Sequence, residues 1–234
     1  MKRNLPLVLI AGVLVVAFVA GVVLFRSKQA TLSEPFRTAQ GPAIPPVALA
    51  SPSAAGKARV EVPSPNGVSV TVEEYGDYQC PPCGVLHPEL KEIIAEYGPQ
   101  IDFAFRNFPL PTIHKNAMIA AQAAEAARLQ GRFWQMHDHL YENQNAWKDE
   151  PNPRQTFIKY ARDLGLDSGR FDRDLDSSEV KQHIAKDKQL ADSLEVVGTP
   201  TILIEGRQLK AEVTTGEGIR KGINAMLARK AAGR

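Results

Sequence analysis

The sequence predicts an α/β domain in which a central mixed sheet carries an inserted helical subdomain. Three observations support this. Val68 to Tyr75 alternates at period two, a helical pattern follows, and Ile101, Phe103 and Phe105 alternate again. A long run of helical spacing, at about 111–196, comes next. A short apolar strand and a final helix then close the domain.

In chain order, residues 1–26 read as a transmembrane anchor or uncleaved signal. Leu5 to Phe25 is apolar and uncharged, and a helix of about 20 residues spans the hydrocarbon core. Lys2 and Arg3 favour a cytoplasmic N-terminus, while Arg26 and Lys28 blur the bias. A cleavable signal peptide is the competing reading. Its apolar core is usually about 7–15 residues long and is followed closely by a small-x-small site. Here the apolar stretch is longer, and Ala48-Leu49-Ala50 lies far downstream. Residues 27–59 hold Pro35, Pro42, Pro45, Pro46 and Pro52 among Ala and Ser, the composition of an extended linker. The folded domain is placed at 60–234.

Within it, Leu86, Leu90, Ile93, Ile94 and Tyr97 recur at helical spacing, and Gly98-Pro99 ends that helix. Ile113 to Gln130 is an Ala-rich helix stopping at Gly131. Phe133, His137, Leu140 and Tyr141 share one face of the next, and Phe157, Tyr160, Ala161 and Leu164 share one of another. A further helix runs roughly from Ser178 to Val196. Gly198-Thr-Pro-Thr leads into the strand Ile202-Leu-Ile, and Thr214-x-x-Glu217 is a capping-box pattern for a last helix with Ile219, Ile223, Met226 and Leu227.

The chain has 234 residues, 44% hydrophobic, enough for one domain with accessory segments. A net charge of +2 and the lack of a long basic run set nucleic acid aside. There are two cysteines, Cys80 and Cys83. They cannot form a disulfide framework, and a bridge over so short a span restricts the unfolded chain little. Their value is chemical. The motif Cys80-Pro81-Pro82-Cys83 sits where a strand ends and a helix begins. The first turn carries unpaired N–H groups and the positive dipole end, so a thiolate there has a pKa below the free value of about 8.5. With Cys80 at the cap, Pro81 and Pro82 open the helix without donating, and the Cys83 N–H is the first donor available to the Cys80 sulfur. Cys80 is therefore the attacking or leaving sulfur and Cys83 the resolving one.

Rival readings are weaker. A zinc site would need a second ligand pair, and His137-x-His139 alone offers one. Haem attachment needs His after the second cysteine, where Gly84 stands. Two prolines between the cysteines do not suit an inert buried pair.

Glu73-Glu-Tyr-Gly-Asp-Tyr-Gln-Cys-Pro-Pro-Cys, Leu86-His-Pro-Glu-Leu and Val197-Gly-Thr-Pro-Thr together resemble the DsbA-like thioredoxin-fold proteins of bacterial cell envelopes. Asn107-Phe-Pro and Gln130-Gly-Arg-Phe-Trp also fit. The resemblance runs from about Val60 to the C-terminus and implies a thioredoxin-like fold, with Cys80 as nucleophile and Cys83 as its partner. It implies no cofactor beyond the Cys80–Cys83 redox disulfide and no metal. Pro200 matches the family's cis-proline, facing the disulfide, and the Thr199 backbone would pair with substrate. Read alone, Thr199-Pro200 is an ordinary trans turn, since cis is only about 5–6% of X–Pro bonds. Pro88 matches the kink proline of the first helix. Glu74 matches the buried acid beneath the motif, a proton carrier, and alternation puts Glu73 and Glu74 on opposite faces. The departure is Pro82, where strongly oxidising members often have His. It predicts a weaker thiolate and a less oxidising couple. His87 reads as packing, and His114, His137, His139 and His183 carry no assigned role.

The leading functional expectation is a thiol–disulfide oxidoreductase that forms disulfides in exported proteins. It would sit in the cell envelope, its domain outside the cytoplasm, with a membrane redox partner implied by the resemblance. An extracytoplasmic reductase or isomerase is the alternative. A metal-handling or chaperone module with the two cysteines as ligands is the alternative of another class.

Overall fold

A computed structural model describes residues 58–60 and 69–233. The expected anchor and nearly all of the expected linker lie outside them. Among the described residues no helix is long and apolar enough to cross a membrane.

Five strands form one sheet: β1 (Ala58–Val60), β2 (Val70–Gly76), β3 (Ile101–Asn107), β4 (Thr201–Ile204) and β5 (Arg207–Gln208), in the order β1-β3-β2-β4-β5. Only β2 and β3 are parallel, joined through α1 (Pro81–Tyr97), as a parallel pair requires a crossover. The expected linker is corrected at its end. Ala58 and Arg59 pair with Phe105 and Ala104, so the folded domain begins before residue 60. So short a strand leaves no periodic signal; its partner defines it.

Six helices lie between β3 and β4: α2 (Ala117–Arg128), α3 (Phe133–Glu142), α4 (Gln144–Trp147), α5 (Arg154–Asp163), α6 (Ser168–Asp174) and α7 (Ser178–Ser193). α2 starts later than its Ala-rich pattern suggests, because Ile113 and His114 donate back to the Leu110 carbonyl in tight turns. α6 escapes the periodic pattern; it buries Phe171 and is capped by Asp167, which accepts from the Arg170 N–H. The last helix, α8 (Gly216–Ala232), is capped one residue later than expected. Thr215 Oγ1, not Thr214, accepts from the Gly218 N–H at 3.2 Å.

Alternation along the strands divides the interior. Val70, Val72, Phe103, Phe105, Ile202 and Ile204 face the main core, which they share with Leu86, Leu90 and Ile93 of α1 and Ile219 and Ile223 of α8. Tyr75 and Leu203 point the other way, into a smaller core with Phe108, Ala191 and Val196. The strand end at Gly76 and the start of α1 therefore meet where both layers are anchored.

Candidate active site

Cys80 is the N-cap of α1, with extended backbone (φ −67°, ψ 120°), and prolines fill the first two helical positions. Its N–H donates to the Asp77 carbonyl at 3.0 Å. Pro88 lies inside the same helix. Both thiols are free in this structure. Cys80 is 4% exposed and Cys83 is fully buried, so the sulfur nearer solvent belongs to the cap residue. The Thr199–Pro200 bond is cis, and the Cys80 thiol donates to the Thr199 carbonyl at 3.4 Å. The structure thus brings Cys80, Cys83, Thr199 and Pro200 together across more than half the chain.

The two sulfurs differ electrostatically. A hydrogen bond from the Cys83 thiol is the largest influence on Cys80 and lowers it; burial opposes, while the Thr199 side chain and the Cys83 N–H lower it further. The Cys80 thiol falls to about 6. Burial pushes Cys83 well above its ordinary value, and the neighbouring Cys80 and Glu74 push the same way.

Glu74 lies under the pair. It shares a strand face with Val70 and Val72, and its register neighbours are Phe105 on β3 and Ile202 on β4. It is 1% exposed, and its Oε1 has no hydrogen-bond partner. Desolvation, then the Cys80 charge, raise its pKa to about 8. Glu73 faces the opposite side and binds Arg106 at 2.9 Å.

Several side chains that hold the site were not singled out from sequence. Asp77 is buried and fixes the approach to the motif: Oδ1 accepts from the Gln79 N–H at 2.8 Å. Oδ2 accepts from the Leu110 N–H at 3.0 Å and meets His114 Nδ1 at 2.8 Å. Its i→i+2 bond is an Asx turn, the one local signal that could have found it. Gln144 Nε2 donates to the carbonyls of Tyr78 (2.7 Å) and Cys80 (3.0 Å). Gly84 makes room for it, since a Cβ there would stand 2.8 Å from Gln144 Oε1. Tyr141 reaches the floor of the site from α3. Its buried hydroxyl has no partner, and a Cβ on Gly76 would meet it at 2.9 Å. Gly76 is two residues beyond Glu74, hence on the same strand face. No local pattern links residues 74, 76 and 141.

Residues 67–225 match the sequence model of the thioredoxin family. Among solved structures, a thioredoxin-like oxidoreductase from Silicibacter pomeroyi is 27% identical with a TM-score of 0.59, covering 74% of this chain and 92% of that one. Oxidised BdbD from Bacillus subtilis is 24% identical with a TM-score of 0.63, covering 74% and 94%. DsbA from Xylella fastidiosa is 20% identical with a TM-score of 0.60, covering 74% and 95%. Among curated proteins, the Na(+)/H(+) antiporter NhaA 3 of Salinispora tropica is 40% identical over 150 residues, 64% of this chain and 22% of that protein. The chain thus spans about a fifth of the length of the antiporters it matches. The transport in their names is stated of those proteins.

Proposed function

The chain belongs to the thioredoxin family, and from that premise we propose that it is a DsbA-like thiol–disulfide oxidoreductase whose Cys80 and Cys83 form disulfides in exported proteins. The asymmetry between the sulfurs carries this reading: one held near 6 at a helix start, the other buried and well above 9. In the oxidised enzyme a substrate thiolate attacks Cys80. The Cys80–Cys83 bond breaks, and Cys83 leaves with the electron pair. Glu74, protonated at neutral pH, hands it a proton. The substrate's second thiol, deprotonated, then attacks the substrate sulfur of the mixed disulfide, and Cys80 departs as a thiolate. The substrate loses two electrons and two protons; the enzyme gains the electrons as a Cys80 thiolate and a Cys83 thiol, one of the released protons restoring Glu74 and the other passing to solvent. A low-pKa leaving thiolate favours this direction. The Thr199 backbone, beside Cys80, pairs with the substrate chain next to Pro200. The active cofactor is the disulfide itself.

Residues 1–26 as anchor and 27–59 as linker would hold the domain outside the cytoplasm, where exported thiols arrive and a membrane redox partner reoxidises it. The Pro82 position supplies no donor, so the couple is milder than that of the strongest oxidants.

A redox titration against glutathione tests the direction. The expected potential lies between about −270 mV, typical of thioredoxin, and about −120 mV, typical of DsbA. A value at or below the thioredoxin end would assign the enzyme to reduction. Glu74→Gln should slow interconversion of Cys83 with the mixed disulfide on the order of 100-fold. Unchanged kinetics would remove Glu74 from the mechanism.

A further inference from the structure

One helical turn behind the motif, α1 and α3 approach each other through His87, His137 and Asp138. His87 is four residues beyond Cys83 and shares its helix face. It is 4% exposed, and its Nε2 is buried with no hydrogen-bond partner. That atom lies 3.5 Å from Asp138 Oδ1. The two imidazoles and the carboxylate each offer one ligand atom, all within 4.8 Å of one another.

An orphaned buried imidazole nitrogen facing a carboxylate needs an explanation. A cation between them supplies one. Two ligands bonded to tetrahedral zinc at about 2.0–2.1 Å stand about 3.3–3.4 Å apart, close to the separation found here. The second ring is also oriented: His137 Nδ1 meets the Tyr78 hydroxyl at 3.0 Å, the kind of outer contact that fixes a ligating histidine.

We propose that His87, His137 and Asp138 form a binding site for a divalent cation of zinc type, tying the active-site helix α1 to α3. Two nitrogens and one oxygen with an open fourth position suit zinc, whereas calcium and magnesium take oxygen ligands. The Asp138 side chain is 35% exposed, which leaves an entrance and a place for water. Lys91 is the present counter-ion, 3.0 Å from Asp138 Oδ2. It also reaches Glu142 at 2.8 Å and can keep that partner when a cation arrives. The other histidine–carboxylate group, Glu125, His183 and Asp187, is a poorer host. Its carboxylates already accept from Arg128, Asn107 and Arg106. Neither group includes a cysteine, so this site differs from one built on Cys80 and Cys83.

The test is zinc titration of metal-free full-length protein in its disulfide form, read against a chromophoric chelator. One equivalent should bind, and Cys80→Ser/Cys83→Ser should bind it equally. His87→Gln should weaken binding at least roughly tenfold. Asp138→Asn, at a half-exposed position, should do the same while leaving the fold intact. Zinc should raise the melting temperature of the native chain and not of Asp138→Asn. Cobalt should give tetrahedral d–d absorption without a thiolate charge-transfer band. Absence of stoichiometric binding, binding unchanged by His87→Gln and Asp138→Asn, or binding lost instead in His183→Gln would overturn the proposal.

Discussion

Glu74 and Glu125 are both buried carboxylates, and the protein treats them oppositely. Around Glu125, Asn107 Nδ2 donates at 2.7 Å, Arg128 Nε at 2.6 Å, and His183 Nδ1 stands at 2.9 Å. Burial pushes Glu125 up, but His183 and Arg128 outweigh it and hold the carboxyl below its usual range. Glu74 has Phe105 and Ile202 as strand neighbours and an oxygen without a partner, and it rises to about 8. Burial alone therefore does not set a carboxylate's role. Paired, it is a strut; unpaired beneath a sulfur, it is a poised acid.

Breaking the strut should have the largest effect. Glu125→Leu leaves His183, Arg128 and Asn107 facing an apolar side chain. Removing one partner of a buried pair costs about 3–5 kcal/mol. Chemical denaturation at pH 7 should show a loss of that order, and an unchanged midpoint would mean that the network contributes nothing to stability.

Removing the poised acid should act the other way. Glu74 has a raised folded-state pKa, about 8 against an ordinary value of 4.5. The folded state therefore holds the proton more tightly than the unfolded state. Its contribution is fully present below pH 4.5, falls as pH rises, and is lost through pH 8. At pH 7 the penalty is on the order of 3 kcal/mol. Glu74→Gln should recover most of it in the reduced protein and flatten the pH dependence between those limits. Destabilisation by Glu74→Gln at pH 8 would show that the carboxylate has a partner after all.

The two carboxylates were also unequally legible in the sequence. Glu73-Glu74 at the end of a period-two strand puts one acid inward, and the resemblance of the motif's surroundings to the DsbA-like family picks out Glu74. Glu125 sits in an Ala-rich helix where it looks like any polar helical residue. Its partners Asn107 and His183 come from a strand end and from α7, so only the assembled fold reveals them. The same division holds elsewhere. The strand–helix–strand unit around Cys80 is readable because period and motif are local. Gln144 and Tyr141 act on the site from outside that unit, whereas Asp77 lies within it and is marked only by its Asx turn. The capping threonine was misplaced by one because Thr214 and Thr215 are chemically identical, and only backbone geometry separates them.

The sulfurs extend the comparison to a group that is activated rather than neutralised. Thiolate absorbance of the reduced protein should rise with a midpoint near pH 6 for Cys80, while Cys83 stays protonated at neutral pH. Alkylation at pH 7 should therefore label Cys80 first. Cys83→Ala removes the largest influence, the Cys83 thiol donor, and should move the midpoint upward toward the free value of about 8.5. A midpoint unmoved in Cys83→Ala would assign the activation to the helix start alone. Faster labelling of Cys83 than of Cys80 would reverse the assignment of nucleophile.

The smallest expected effect comes from Tyr141, and it shows whether the floor under Cys83 is more than packing. Its ring stacks on His87 at 4.9 Å and its hydroxyl reaches the glycine on the same strand face as Glu74. Tyr141→Phe keeps the ring and removes only the hydroxyl dipole. The site floor becomes more apolar, and the charged forms of Glu74 and Cys83 become harder to reach. Resolution of the mixed disulfide by Cys83 at pH 7 should slow severalfold, less than the loss in Glu74→Gln, since a dipole that stabilises a charge contributes less than the group proposed to carry the proton. Its pH profile should shift upward while the Cys80 midpoint stays near 6. A slower rate with an unshifted profile would reduce Tyr141 to a packing residue, and Glu74 would then act on Cys83 unaided.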